Sequence, residues 1–371
     1  MSPVPPVAGA SRRGAPLALA LLALLAVAQS SPSQTVGGAW APDPDPEWQV
    51  RPPVEWGLNP GRLWTAYRRA DQLAPLNGLL VARRGTLVAE KYWDGMTARR
   101  DVNVKSASKS VISALVGIAL EEGILEGLDQ RVVEFFPGYV SEDADPRKRE
   151  ITIRDLLTMR SGLRSTSFEG YGRWVAGDDW VEGVLEQPVV AEPGGRFIYS
   201  TGSTHLLSAI LTRASGTSTL DFARRHLFAP LGIEPGGWQQ DPQGYYFGGN
   251  NLSLSPREML RFGELYLNGG RWQGQRVLPE SWVRESWSVF THSRRHPTYG
   301  FGYCWWTRQL AGHRVHYAWG YGGQFVFVVP ELEMVVVTTS TNRPETRGGG
   351  SHLRDIYELL RRHILPAASR D

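Results

Sequence analysis

Ser106 and Lys109 stand three residues apart in Ser106-Ala107-Ser108-Lys109, ahead of a stretch that is apolar nearly all the way round: Val111, Ile112, Ala114, Leu115, Val116, Ile118, Ala119 and Leu120. That pattern predicts a buried helix running from Ser106 to Glu122. On its first turn, a serine and a lysine at this spacing project from one face, with Cβ atoms about 5–6 Å apart. A hydroxyl beside an amine, short of water, is a route to a nucleophile. Desolvation lowers a lysine's pKa towards that of a general base, whereas arginine does not deprotonate. The 40 basic residues include only four lysines, Lys91, Lys105, Lys109 and Lys148, although Lys105 in the same string shows how little that rarity decides. The helix start also offers free N–H groups and the positive end of the dipole, which makes the backbone N–H of Ser106 a candidate oxyanion donor. Taken alone, the pattern has an ordinary structural explanation too, a capping serine with a snorkelling lysine.

Other chemistries find less support. The eight histidines show no H-E-x-x-H spacing, so no metal site is expected, and His205, in an apolar helical stretch, reads as a satisfied core histidine. No G-x-S-x-G elbow or Walker loop occurs, and Gly320-Tyr321-Gly322-Gly323 is flanked by strand-like runs, unlike a dinucleotide loop. No cofactor is expected. The single cysteine, Cys304, lies in the apolar string Phe301 to Trp306 and reads as a small buried hydrophobe on a strand, with no activating base in its flanks.

The elements that must position Ser106 and Lys109 follow from periodicity. Leu63 to Leu73 has helical spacing, and Leu79 to Ala82, Arg84-Gly85 and Leu87 to Trp93 read as a hairpin. After the Ser106 helix come short helical signals broken by Pro and Gly to about Ser288. Strand-like runs return at Phe301 to Arg308, Arg314 to Trp319, Gln324 to Val329 and Met334 to Thr339, and Leu353 to Ile364 closes as a helix. This order predicts an α/β (α+β) fold in which the two ends of the chain build one antiparallel sheet flanked by terminal helices, with a mostly helical subdomain inserted between them. The expected lobes are a sheet lobe of about 60–104 and 290–371 and a helical lobe of about 105–289, with the active site in the cleft between them.

At 371 residues the chain has ample length for a large core, and 42% hydrophobic with 21% charged residues fits a water-soluble globular protein. A net charge of only +3 gives no support to nucleic-acid binding. Residues 1–28 pair the basic Arg12-Arg13 with an apolar run from Ala15 to Val27 and a small-x-small end at Ala26-Val27-Ala28. They read as a secretory signal peptide cleaved near Ala28, too short in its apolar part for a permanent membrane anchor. The expected location is periplasmic or extracellular, reached by the general or the twin-arginine route. Residues 29–46 read as a flexible leader and 47–371 as one domain. With one cysteine, no internal disulfide is available.

Several segments in one order resemble the serine β-lactamase, DD-peptidase and esterase superfamily: "KSASKSVISALVGIALEEG" (105–123), "ITIRDLLTMRSGL" (151–163), "PGGRFIYSTGSTHLLSAIL" (193–211), "LFAPLGI" (227–233) and "GYGGQFVFVVPELEMVVV" (320–337). The similarity runs from about Leu76 to Ile364, and its flavour is that of the 6-aminohexanoate-dimer hydrolase branch. The resemblance implies a β-lactamase/transpeptidase-like fold and an acyl-enzyme on Ser106 with Lys109 as base. Tyr199-Ser200-Thr201 matches the family's Y-x-N or Y-x-S element, which implies Tyr199 as proton relay, held partly as phenolate beside the lysine. Thr201, where β-lactamases carry asparagine, is then a substrate contact, with Tyr171 as a substrate-contacting loop residue. Ala318-Trp319-Gly320 occupies the place of the family's Lys-Thr-Gly or His-x-Gly strand, which makes Trp319 and Gly320 substrate contacts and the Tyr321 N–H the second oxyanion donor. Without the cation that holds a substrate carboxylate, the expected partner is a small-molecule ester or linear amide. The alternatives are a β-lactamase or DD-peptidase, or a catalytically silent ligand-binding member of the fold.

Overall fold

The computed structural model describes residues 48–293, 296–341 and 349–368. The expected signal peptide and leader lie outside them.

Eight strands form one sheet: β1 (Leu76–Arg83), β2 (Thr86–Tyr92), β3 (Thr291–His292), β4 (Gly300–Phe301), β5 (Trp306–Leu310), β6 (His313–Gly320), β7 (Gln324–Val329) and β8 (Met334–Ser340). Their spatial order is β2-β1-β8-β7-β6-β5-β4-β3. Every neighbouring pair is antiparallel. The seam between the two ends of the chain is the β1–β8 pair, from Leu76 opposite Ser340 to Arg83 opposite Met334, with one register shift between Leu76 and Gly78. Strands β1, β7 and β8 are buried throughout, as expected of strands covered on both faces.

Alternation along β7 divides its side chains between two helical layers. Phe325 and Phe327 meet Tyr357 of the closing helix α5 (Gly349–Leu359), ring centroids 5.6 and 6.1 Å away. Val326 points the other way, towards α4 (Pro256–Leu267). There Gly263 lets the helix settle on the sheet, since a Cβ would lie 2.8 Å from Val326 Cγ1 and 2.5 Å from Val335 Cγ1. Helix α4 falls within the stretch assigned to the helical lobe, yet it packs directly on the sheet. The stripe that carries it there includes Met259, Leu260, Phe262 and Leu265, all buried.

The expected α1 is present as Pro60–Ala70, capped by Asn59, whose side chain accepts from the Arg62 N–H at 3.0 Å. Helices α2 (Ser108–Glu121) and α3 (Thr201–Ser215) form the centre of the inserted lobe. A small sheet of Val102–Asn103, Leu252–Leu254 and Gly237–Trp238 abuts the start of α2. The Phe301 to Arg308 run, expected as one strand, is broken between β4 and β5. Cys304 sits in that break with φ +58°, its N–H donating to the Leu157 carbonyl at 3.1 Å. It is buried, as expected, but in a turn and not on a strand.

Candidate active site

Ser106 lies just ahead of α2 and not within it, in a 3₁₀ turn of Lys105–Ala107 that leads into that helix. The turn is held from both sides. The Lys105 N–H donates to Asn103 Oδ1 at 2.9 Å, and Ser108 Oγ donates to the Lys105 carbonyl at 2.8 Å. Lys105 itself adopts φ +54°, a left-handed conformation that costs a non-glycine residue about 1–2 kcal/mol. The end of β6 presses on this turn. A Cβ on Gly320 would lie 2.1 Å from the Val104 carbonyl oxygen and 3.1 Å from Lys105 Cβ, so only glycine permits the approach.

Lys109, on the first turn of α2, is 2% exposed. Its Nζ lies 3.0 Å from Ser106 Oγ, 3.3 Å from Thr201 Oγ1 and 2.5 Å from the Gly249 carbonyl oxygen. Among the described residues no carboxylate pairs with it. Burial pulls its pKa down from 10.5 to about 7, with a smaller opposing influence from Cys304. The Cys304 thiol is pushed up to about 12 by burial, partly countered by Lys109, so it is neutral.

Tyr199 completes the triangle. Its hydroxyl is within hydrogen-bond reach of Ser106, and Lys109 Nζ lies 5.1 Å from its ring centroid. Burial raises the Tyr199 pKa, with the Ser106 hydrogen bond opposing. This corrects the expected phenolate: at neutral pH the phenol holds its proton, and Lys109 is the group able to shed one.

A hydroxyl ladder fixes the Tyr199 segment. Ser165 Oγ donates to the Tyr199 carbonyl at 2.6 Å, Thr166 and Ser200 hydroxyls lie 3.0 Å apart, and Ser167 Oγ is 2.8 Å from Thr201 Oγ1. The backbone joins in, with the Gly202 N–H donating to Thr166 Oγ1 at 2.9 Å. Thr201, expected as a substrate contact, is therefore turned inward to Lys109 and Ser167, and it is 4% exposed.

Ser106, Tyr199, Trp319 and Tyr321 line one cavity of about 380 Å³, together with Phe168, Phe197 and Trp306. Tyr171 is not among its lining residues. Its hydroxyl accepts from Asn250 Nδ2 at 3.1 Å, and its ring packs on Trp174 and Phe247. The reason is local: Tyr171 and Trp174 are three apart on the short helix Tyr171–Val175 and share a face, and Trp174 is anchored in a cluster with Trp180, Phe247 and His205. His205 is the expected core histidine, its Nε2 2.9 Å from Asp241 Oδ2 with both side chains buried.

Two groups of residues were not singled out from the sequence. One is the Ser165-Thr166-Ser167 ladder; the other is Gly249. A Cβ on Gly249 would lie 2.6 Å from Thr201 Cγ2 and 2.6 Å from Thr204 Oγ1, so glycine is what brings its carbonyl to Lys109. A run of three hydroxyl residues, and the Gly248-Gly249-Asn250-Asn251 run, were the available signals.

The family model described as Beta-lactamase matches residues 70–360. The chain belongs to the beta-lactamase family. Within that family it is 24% identical over 329 residues to the 6-aminohexanoate-dimer hydrolase of Paenarthrobacter ureafaciens, covering 82% of each chain. Among solved structures it resembles EstCE1, a hydrolase with promiscuous acyltransferase activity, with a TM-score of 0.66, 19% identity and coverage of 81% of this chain and 98% of that one. It also resembles the octameric penicillin-binding protein homologue from Pyrococcus abyssi, with a TM-score of 0.61, 18% identity and coverage of 80% and 77%. The beta-lactamase fold, and a hydrolase at the level of the family, are thereby assigned.

Proposed function

We propose that this beta-lactamase family member is a serine hydrolase that cleaves an ester or linear amide through an acyl-enzyme on Ser106. The observation that carries this reading is the setting of Lys109 Nζ, 3.0 Å from Ser106 Oγ and buried without a counter-charge among the described residues. A neutral amine has two N–H bonds and one lone pair. The Gly249 carbonyl can only accept, and Thr201 Oγ1 can accept while its own proton goes to Ser167. Those two partners occupy both N–H bonds, which turns the lone pair towards the Ser106 hydroxyl.

In the proposed reaction, Ser106 Oγ attacks the substrate carbonyl and its proton passes to Lys109 Nζ. The N–H groups of Ser106 and Tyr321 take the developing oxyanion. Collapse breaks the bond to the alcohol or amine, which receives the Tyr199 phenolic proton, and the excess proton on Lys109 restores the phenol. Water then attacks the acyl-Ser106 ester with Lys109 as base. Ala318-Trp319-Gly320 supplies no side-chain cation beside the cavity, which favours esters and linear amides over β-lactams. Export after cleavage near Ala28 belongs to the same proposal, and the N-terminal sequence of the mature protein reads it directly.

The test is turnover of p-nitrophenyl acetate with labelling by a fluorophosphonate. Ser106→Ala should lower kcat/KM by about 10³-fold or more and abolish the label. Retained turnover in that variant would remove Ser106 from the chemistry.

A further inference from the structure

The cavity is built around the ring of Tyr199. Trp306 stacks on that ring with centroids 6.1 Å apart, and Phe168 and Phe197 lie 6.1 and 6.4 Å from it. Trp319 extends the wall, 5.5 Å from Trp306. At the mouth stand Phe168 and Tyr321, 67% and 65% exposed, two of the few large hydrophobic side chains on the surface.

Phe168 combines two features that each cost stability. It exposes an aromatic ring to water, and it adopts φ +55°, a conformation that bulky L side chains rarely take. The position is not loose. The hydroxyl ladder ends immediately before it at Ser167, and the Gly170 N–H donates to the Ser167 carbonyl at 3.1 Å. The left-handed backbone at Phe168 thus sets its ring beside Tyr199 and over the opening. Strain and exposure at one residue on the rim of a site point to use in binding.

We propose that Phe168 is a specificity-determining residue, forming with Trp306 and Tyr321 an aromatic slot for an aryl or similarly bulky apolar leaving group, the alcohol or amine portion of the substrate. This rests on the reading of Tyr199 as donor of the proton to that group. The leaving atom must lie at the Tyr199 hydroxyl when its bond to the carbonyl carbon breaks, and the aromatic space is on the Tyr199 side of Ser106. Flat rings stacked or edge-on against Trp306 and Phe168 gain more there than a short alkyl group does.

The experiment compares ethyl acetate with 2-phenylethyl acetate, whose alcohols are of similar basicity and which share one acetyl-enzyme. Wild type should favour the phenylethyl ester in kcat/KM by about tenfold or more. Phe168→Gly, which suits the left-handed backbone and should fold normally, should bring that ratio to within about threefold. A Phe168-dependent preference that appears instead between ethyl 3-phenylpropanoate and ethyl acetate would overturn the assignment to the leaving group. An unchanged ratio in Phe168→Gly would overturn the slot itself. A readout independent of turnover is the binding of 2-phenylethanol to Ser106→Ala by calorimetry, expected to weaken at least about fivefold when Phe168→Gly is added. Absence of that binding removes the slot, whereas binding without any Ser106-dependent hydrolysis leaves the slot and removes the hydrolase reading.

Discussion

Lys109 and Glu264 are both buried, and neither has an opposite charge beside it among the described residues. Burial moves each to about 7, downward for the amine and upward for the carboxyl. Their surroundings differ. Around Lys109 a serine, a threonine and a backbone carbonyl converge at the foot of a cavity. Glu264, on α4, takes a hydrogen bond from Asn268 Nδ2 at 3.3 Å on one oxygen, and the other oxygen has no partner among the described residues. A tuned pKa is therefore the inexpensive half of a catalytic base. The other half is a hydroxyl within reach and acceptors that aim the lone pair, and of these two groups Lys109 has both.

The sharpest way to break this comparison is Lys109→Met. Loss of the base should lower kcat/KM by about 10³-fold or more, while the protein gains roughly 2 kcal/mol of stability at pH 7 by chemical denaturation. The sign follows from the lowered pKa. Folding penalises the protonated lysine, so its cost is absent above the unfolded value near 10.5, grows as pH falls and is complete below about 7. A Met variant that is less stable at pH 7 would mean that Lys109 is not held against its charge.

A smaller effect is the pH profile. Wild-type kcat/KM should rise about tenfold per pH unit on the acid side and level off above about 7, where Lys109 is neutral. A flat profile from pH 5.5 to about 8.5 would place the base elsewhere. The smallest concerns the other partner of the comparison. The raised Glu264 pKa removes stability as pH climbs from its ordinary 4.5 through about 7. Glu264→Gln should therefore gain about 1–3 kcal/mol at pH 8, nothing at pH 4, and leave ester turnover within about twofold. Loss of activity in that variant would mean that the two buried groups are coupled.

The features legible in the sequence were those carried by local periodicity. The hairpin of β1 and β2, the late strands β6 to β8 and the apolar α2 follow from patterns within a few residues of each other. The Ser106 and Lys109 pair was legible for the same reason. What escaped depends on contacts between distant segments. Gly249 reaches Lys109, and Ser165 to Ser167 meet Tyr199 to Thr201, only once the lobe has folded. Tyr171 was misplaced because its neighbour Trp174, and not the cleft, decides where that turn faces. The 3₁₀ start of α2 was hidden because Lys105 takes a glycine-like backbone angle that its side chain does not advertise.

The seam between β1 and β8 also orders events in time. Synthesis delivers Ser106, Lys109 and Tyr199 well before Met334–Ser340, yet β1 gains its inner neighbour only when β8 arrives. Pairings this remote along the chain form slowly, because loop closure must come first. The sheet that sets Gly320 against the Lys105 turn is therefore completed only when translation is almost finished.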